Sequence, residues 1–320
     1  MSEPIQHLIS IITPCLNEQD NVNVFYREIS RVFSQMDNCE FELIFVDDGS
    51  TDETVSRIRE IIKLDSRCKL LINARNFGVY RSSFNALKYA KGNAVIPLLP
   101  VDLQDPPELI PRFYSEWING TKIVAGVRYE REENFTLRGI RRLYYRVAST
   151  LADFDLPRYV GEFQLVDMSV IQKLKDIDDY YPYTRGLIAA ASNSRVQIEY
   201  TWKKRKIGKS NMNMWRLIDQ GINGIVSTSA SPLRLVSILS TSASVIGGFF
   251  GILQLIAHFT FAKSFTAPGI STLIVLISFF FMVNSITLGV LAEYVSAIHA
   301  QVRGKGRVIV SERVNVEDPI

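Results

Sequence analysis

The chain has 320 residues, with 36 Lys and Arg against 33 Asp and Glu and a formal net charge of +3. That length holds one soluble domain of about 200 residues plus a further unit, and no nucleic-acid partner is expected. Three cysteines (Cys15, Cys39, Cys68) and three histidines (His7, His258, His299) are too few and too scattered for a disulfide framework or a zinc site, so the cysteines read as reduced packing residues.

The first residues lack the basic start and cleavage site of a signal peptide, so they are expected to stay in the cytoplasm. Leu8–Thr13 is a short β-rich run, and Asp20–Met36 carries Val22, Phe25, Ile29, Val32, Phe33 and Met36 at helical spacing. Phe41–Val46 predicts a second strand and Thr51–Leu64 a second helix, with Ser50 or Thr51 as N-cap. Lys69–Asn73, Ala94–Leu99 and Lys122–Ala125 predict three more strands, separated by helices over Val79–Ala90 and the proline-opened Pro107–Trp117. Alternating strands and helices predict an α/β domain with a mostly parallel sheet, and such sheets bind ligands beyond the carboxyl ends of their strands.

Polar clusters stand at those ends. The first strand runs into Pro14-Cys15-Leu16-Asn17-Glu18, and the second into Asp47-Asp48-Gly49-Ser50-Thr51-Asp52. The third runs into Arg75-Asn76-Phe77-Gly78, and the fourth into Pro100-Val101-Asp102-Leu103-Gln104-Asp105. Such groups can bind a base, a ribose, a diphosphate or a metal. The glycine fingerprint of a dinucleotide-binding fold and the P-loop pattern are both missing. Each cluster alone could be a capped helix start; four at successive strand ends argue for a site.

P-x-x-N-E, V-D-D-G-S-T-D, R-N-F-G and D-L-Q-D-P-P-E, in this order, resemble glycosyltransferase family 2 with a GT-A fold, a Rossmann-like sheet. With apolar segments following, the chain is similar to the polyprenyl-phosphate glycosyltransferases, among them bactoprenol glucosyltransferases and dolichyl-phosphate mannose synthases. The resemblance covers Leu8 to about Val310. It implies that Pro14, Asn17, Glu18, Asp47 and Asp48 line a nucleotide pocket, with Asp48 or its neighbour accepting from the base edge. Arg75 is then expected near the diphosphate, and Asp102 and Gln104 around Mg²⁺ or Mn²⁺. A hard cation needs only one or two protein oxygens when phosphates supply the rest.

Relatives usually read D-A-D-L-Q-D where this chain has Pro100 at the first aspartate, so one oxygen ligand is lost. Asp102 and Gln104, with Asp105 as a third candidate, would then hold the metal; altered donor geometry or activity is the other outcome. On the acceptor side, Arg128 is the first choice for a lipid phosphate, with Arg138, Arg141 and Arg142 nearby on a predicted helix. Val160-Gly161-Glu162-Phe163-Gln164-Leu165 resembles the family's G-D-F-R-L, which places Glu162 near the acceptor phosphate or the sugar hydroxyls; a buried structural carboxylate is the competing reading. Lys204–Asn211 resembles a loop that closes over the phosphates through Arg205 and Ser210, and also reads as the basic flank of a membrane segment.

Leu233–His258 and Gly269–Ala292 are each long enough to cross a hydrocarbon core of about 30 Å, and Asn213–Ser229 reads as a helix lying in the membrane interface. The expected organisation is a cytoplasmic GT-A domain over 1–210, an interfacial helix over 211–231, two transmembrane helices within 232–298, and a tail over 299–320 in which 307–314 could return as a strand. Basic flanks on both sides place the two chain ends in the cytoplasm. The implied partners are a nucleotide-sugar donor, with UDP ahead of GDP, a polyprenyl phosphate acceptor, the bilayer, and further copies of the chain in a tetramer. The implied activity is inverting transfer of a single sugar. A processive polysaccharide synthase lacks support, having no Q-x-x-R-W motif here. A nucleotide-sugar-binding protein with impaired catalysis is the alternative that Pro100, Glu162, Gln164 and Asn211 motivate.

Overall fold

The computed structural model describes residues 6–130, 160–177, 179, 182–201, 230–260, 269–303 and 308–317. The predicted arginine helix around Arg138, the loop carrying Arg205 and Ser210, and the expected interfacial helix all lie outside the described residues.

Among the described residues, eight strands form one sheet: β1 (His7–Cys15), β2 (Cys39–Asp47), β3 (Cys68–Asn73), β4 (Ala94–Ile96), β5 (Ile123–Glu130), β6 (Val160–Asp167), β7 (Arg195–Thr201) and β8 (Val310–Val314). Their order across the sheet is β7-β5-β6-β4-β1-β2-β3-β8. β4, β1, β2 and β3 run parallel, as do β5 and β7. β6 pairs antiparallel with both β4 and β5, and β8 antiparallel with β3. The sheet is thus mostly parallel, and β6 lies between the fourth and fifth predicted strands with reversed direction.

Helices cover both faces: α1 (Val22–Phe33), α2 (Thr54–Leu64), α3 (Val79–Ala86), α4 (Ile110–Ile118), α5 (Met168–Lys175) and α6 (Thr184–Ala191). Alternate residues of each strand feed opposite cores. Ile9, Ile11, Phe41, Leu43, Phe45 and Leu70 pack with Val22, Phe25 and Ile29 of α1 and Ile58 of α2. Ile12, Ile44, Val46, Leu71 and Val95 pack with Phe84, Val170 and Ile188 on the other face. Burial on both faces is why these strands read as nearly unbroken apolar runs. The three cysteines are free and buried, in keeping with a packing role.

Two expected boundaries move. α2 starts at Thr54, and neither Ser50 nor Thr51 caps it; Asp52 Oδ1 accepts from Thr54 N at 3.0 Å instead. The proline-opened helix begins as a 3₁₀ turn, Pro107–Leu109, before α4.

Two long helices follow, α7 (Ser231–Thr260) and α8 (Gly269–Arg303). Ser240 meets Thr287 at 2.5 Å, and the Phe280 ring lies against Gly247, leaving no room for a Cβ there. Contacts that advance along one helix as they recede along the other make the pair an antiparallel hairpin. Ile238, Val245, Phe249, Phe281, Ile286 and Ile298 are each more than half exposed. Among the described residues, one segment, Phe279–Val302, is long and apolar enough to cross a membrane. α7 is diluted by hydroxyls, two of which fold back onto its own carbonyls (Ser237 to Leu233 O and Ser244 to Ser240 O). Past α8 the chain returns as β8, the strand anticipated at 307–314.

Candidate active site

The carboxyl ends of β1 and β2 hand their loops to each other. Asn17, held at φ 55°, donates its N–H to Ser50 Oγ at 2.9 Å and accepts from Thr51 N at 2.8 Å. Glu18 N donates to Thr54 Oγ1 at 2.8 Å, while its Oε2 accepts from Asn21 Nδ2 at 2.6 Å at the start of α1. Pro14 lies opposite Val46, one pair before the β1–β2 ladder ends at Cys15 and Asp47. Asn17 and Glu18 therefore brace the loop after β2.

Asp47 and Asp48 are both buried but differ in duty. Asp47 Oδ2 accepts from Gly49 N and Ser50 N, each at 3.2 Å, and its buried Oδ1 has no partner among the described residues. Burial pushes the Asp47 carboxyl up, against the Ser50 and Gly49 hydrogen bonds that pull it down. Asp48 is fully engaged: it accepts from Asn73 Nδ2, Ser82 Oγ, Phe77 N and Gly78 N at 2.9, 2.7, 2.9 and 2.8 Å. Of the two carboxyls expected at the base edge, Asp48 is the one already engaged. Its oxygens organise the R-N-F-G loop, and the neighbour Asp47 carries the open oxygen.

That loop lies against the second motif. Gly49 has φ +85°, and a Cβ there would stand 3.1 Å from Asn76 N, so only glycine fits. Arg75 is exposed and stacks on Phe77, its guanidinium carbon 4.2 Å from the ring centroid.

In the loop after β4, Leu103 takes φ 55° and Gln104 N donates to Asp102 Oδ1 at 3.2 Å. Asp102 and Gln104 are half-buried and offer two hard oxygen donors. No group of three or more His, Cys, Asp or Glu among the described residues could hold a metal. Two oxygens suit Mg²⁺ or Mn²⁺ only when a phosphate ligand completes the shell, so the donor set fits a cation that arrives with a diphosphate.

Asp105, the third candidate, is engaged by other side chains. It is buried and forked by Arg128, with Nη2 to Oδ2 at 2.7 Å and Nε to Oδ1 at 3.2 Å, and Tyr200 Oη bonds the same carboxylate. Burial works against the Arg128 charge, but Asp105 and Tyr200 outweigh it and hold the guanidinium more firmly protonated than usual. Gly161 abuts this arginine, since a Cβ there would stand 3.3 Å from its Nε. Next along β6, Glu162 Oε1 lies 2.8 Å from Arg185 Nε. Burial raises the Glu162 carboxyl, while Arg185 and then Arg128 oppose the rise. Gln164, where relatives carry arginine, is buried and donates to the Gly161 carbonyl at 3.1 Å.

Motif reading missed Tyr200, Arg185 and Tyr80. Tyr80, at the start of α3, feels the charges of Glu162, Arg185 and Arg128, and its hydroxyl is pushed up to about 12 by burial and then by Glu162. Arg185 had one local signal: it is a cation in the first turn of α6, where the helix dipole disfavours it.

A Rossmann-like sheet with acidic and basic loops gathered at its carboxyl ends is the framework of a glycosyltransferase, and the chain is an enzyme of that class. It belongs to glycosyltransferase family 2: the description "Glycosyl transferase family 2" matches residues 10–175. The chain is 30% identical over 319 residues to the uncharacterized glycosyltransferase YkcC of Bacillus subtilis, covering 99% of this chain and 97% of that one. It is also 30% identical over 305 residues to the SfII prophage-derived bactoprenol glucosyl transferase of Shigella flexneri, with 95% and 97% covered. The uncharacterized glycosyltransferase sll0501 of Synechocystis is 28% identical over 310 residues, with 97% and 96% covered.

Proposed function

We propose that the chain transfers one sugar from a nucleotide-sugar, with UDP as the first choice of nucleotide, to undecaprenyl or another polyprenyl phosphate at the cytoplasmic face of a membrane. The observation that carries this reading is the union in one chain of a sheet-end site and an apolar helix hairpin. The likeness to a bactoprenol glucosyl transferase spans both parts. In this reading residues 1–210 are the cytoplasmic catalytic domain, 211–231 an interfacial helix, α7 and α8 the membrane anchor, and 299–320 a cytoplasmic tail. Tetramer formation is part of the same proposal.

The donor's nucleoside binds beside Asp47 and Arg75, braced by Pro14, Asn17, Glu18 and Asp48. Asp102 and Gln104 would hold Mg²⁺ or Mn²⁺, which supplies charge neutralisation at the leaving diphosphate. Arg205 and Ser210 close over the phosphates. Arg128 draws in the lipid phosphate and is kept charged by Asp105. A phosphate oxygen of the acceptor forms the new bond to the anomeric carbon. The bond from that carbon to the nucleoside diphosphate breaks, its electron pair leaves with the diphosphate, and the configuration inverts. A phosphate monoester is largely dianionic at neutral pH, so positioning and charge neutralisation, rather than a strong base, are what the site must supply.

The test uses purified protein in nanodiscs with undecaprenyl phosphate, Mn²⁺ or Mg²⁺, and radiolabelled UDP-glucose, UDP-galactose, UDP-N-acetylglucosamine or GDP-mannose. Label should enter the lipid phase from one donor and be lost with EDTA and with Asp102→Ala. Nucleotide binding without transfer from any donor would favour the second reading, a sugar-nucleotide-binding protein with impaired catalysis, for which Pro100 at the acidic motif is the specific observation.

A further inference from the structure

Arg185 occupies a position that helix stability does not favour. In the first turn of α6 its charge opposes the dipole, and its side chain is three-quarters removed from solvent. Three contacts explain its presence. Nε lies 2.8 Å from Glu162 Oε1 as a charge contact rather than an aligned hydrogen bond. Nη1 donates to the Val160 carbonyl at 3.1 Å, and the guanidinium faces the Tyr183 ring at 5.3 Å. One side chain thus holds both ends of the Val160–Glu162 segment, whose middle residue, Gly161, lies against Arg128.

Two arginine–carboxylate pairs stand side by side, Arg128 with Asp105 and Arg185 with Glu162. They differ in depth: the Asp105 side chain is 2% exposed and Glu162 14%. Of the two carboxylates, Glu162 is the one that keeps some exposure. The groups facing Glu162 are Arg185 from α6, Arg128 from β5, Asp105 from the loop after β4 and Tyr80 from α3, with Tyr183 beside Arg185.

We propose that Arg185 is a positioning residue for sugar transfer, holding the Glu162 carboxyl in place between the donor loop that leads to Tyr80 and the acceptor arginine Arg128. The inference rests on the transfer reading above and adds to it a residue outside every motif. Without Arg185, Glu162 keeps the burial that raises its carboxyl and loses the larger of the two charges that oppose it. The carboxylate then protonates at higher pH and is free to swing.

The experiment measures transfer by wild type, Arg185→Gln, Arg185→Lys, Glu162→Gln and the Arg185→Gln/Glu162→Gln pair, across pH 5 to 9, with the donor panel and undecaprenyl phosphate as probes. Arg185→Gln should lower kcat by about 100-fold, the scale of a misplaced reacting group, with donor KM little changed. Its acidic limb should move to higher pH, and Arg185→Lys should restore part of both. In the Glu162→Gln background, Arg185→Gln should cost little more, because the two act as one unit. An unmoved acidic limb, or a full additional loss in that background, would make Arg185 a structural staple and overturn the inference alone. Absence of transfer by wild type from every donor would instead defeat the transfer reading, and this inference with it.

Discussion

Arg128 and Asp105 meet as a buried fork, with the shorter arm at 2.7 Å between Nη2 and Oδ2. Their side chains are only 18% and 2% exposed, and Tyr200 closes the pair from β7. The fork commits the second acid of the D-L-Q-D run to holding the arginine in place. Removing Asp105 strands a buried cation. Asp105→Ala should therefore destabilise the catalytic domain by about 3–5 kcal/mol and abolish transfer. The first effect is read as a lowered unfolding midpoint in urea, the second in the lipid-label assay. Wild-type stability in Asp105→Ala would mean that the pair is not formed in solution.

Asp48 predicts a different failure. Its four donors come from three segments, and two are the backbone amides of Phe77 and Gly78. Asp48→Ala takes the acceptor from Phe77 N and leaves Gly78 N only Asn76 Oδ1, at roughly 1–3 kcal/mol for each donor left buried and unpaired. The loop that presents Arg75 should loosen, and UDP affinity measured by calorimetry should fall at least about tenfold. If Asp48→Ala binds UDP as wild type does, the loop is held by other means.

The Asp47 carboxyl makes a pH prediction. Burial raises its folded-state pKa above the unfolded value, which lies near 3.9. Between those two values the unfolded chain has released a proton that the folded chain retains, so stability falls as pH rises through the window and levels off above the folded pKa. Asp47→Asn removes this slope. Thermal midpoints of wild type and Asp47→Asn should diverge in favour of the variant as pH climbs from the ordinary carboxylate range, and a constant difference would refute the assignment. UDP binding should weaken in the same variant.

The returning tail is a structural element. Ala74 N donates to Ile309 O at 2.8 Å, Ser311 Oγ to Ile72 O at 2.9 Å, and Arg59 pairs with Glu312 at 2.6 Å. Deleting residues 308–320 uncovers the β3 edge, which invites pairing with other chains. A loss of roughly 2–4 kcal/mol, from about 1 kcal/mol for each hydrogen bond lost, should lower the melting temperature by about 2–4 °C per kcal/mol and raise aggregation in size-exclusion chromatography. An unchanged melting temperature would show the strand to be dispensable.

Local pattern carried much of the fold. Val22, Phe25 and Ile29 at helical spacing, and the apolar runs around Ile11, Leu43 and Leu70, announce α1 and the parallel strands, because the chain's own period decides those elements. The same periodicity brought the P-x-x-N-E, V-D-D-G, R-N-F-G and D-L-Q-D segments to successive strand ends. The long apolar stretches that became α7 and α8 were legible for the same reason: an unbroken run of side chains without charge has few other ways to satisfy its backbone.

Only the tertiary structure divided the labour among those residues. Nothing in D-D-G-S separates Asp47, with an open oxygen, from Asp48, with four donors; the difference comes from Asn73, Phe77 and Ser82, which the crossover between β2 and α3 delivers. Asp105 could be set apart from Asp102 only by Arg128 and Tyr200, and these reach it because β5 and β7 run parallel at one edge of the sheet. The insertion of β6 between β4 and β5, which brings Glu162 beside Arg128, follows from strand order, and strand order is decided by contacts between residues far apart in the chain. The period of side chains along a segment is a property of that segment. The partner of a buried charge is a property of the whole sheet.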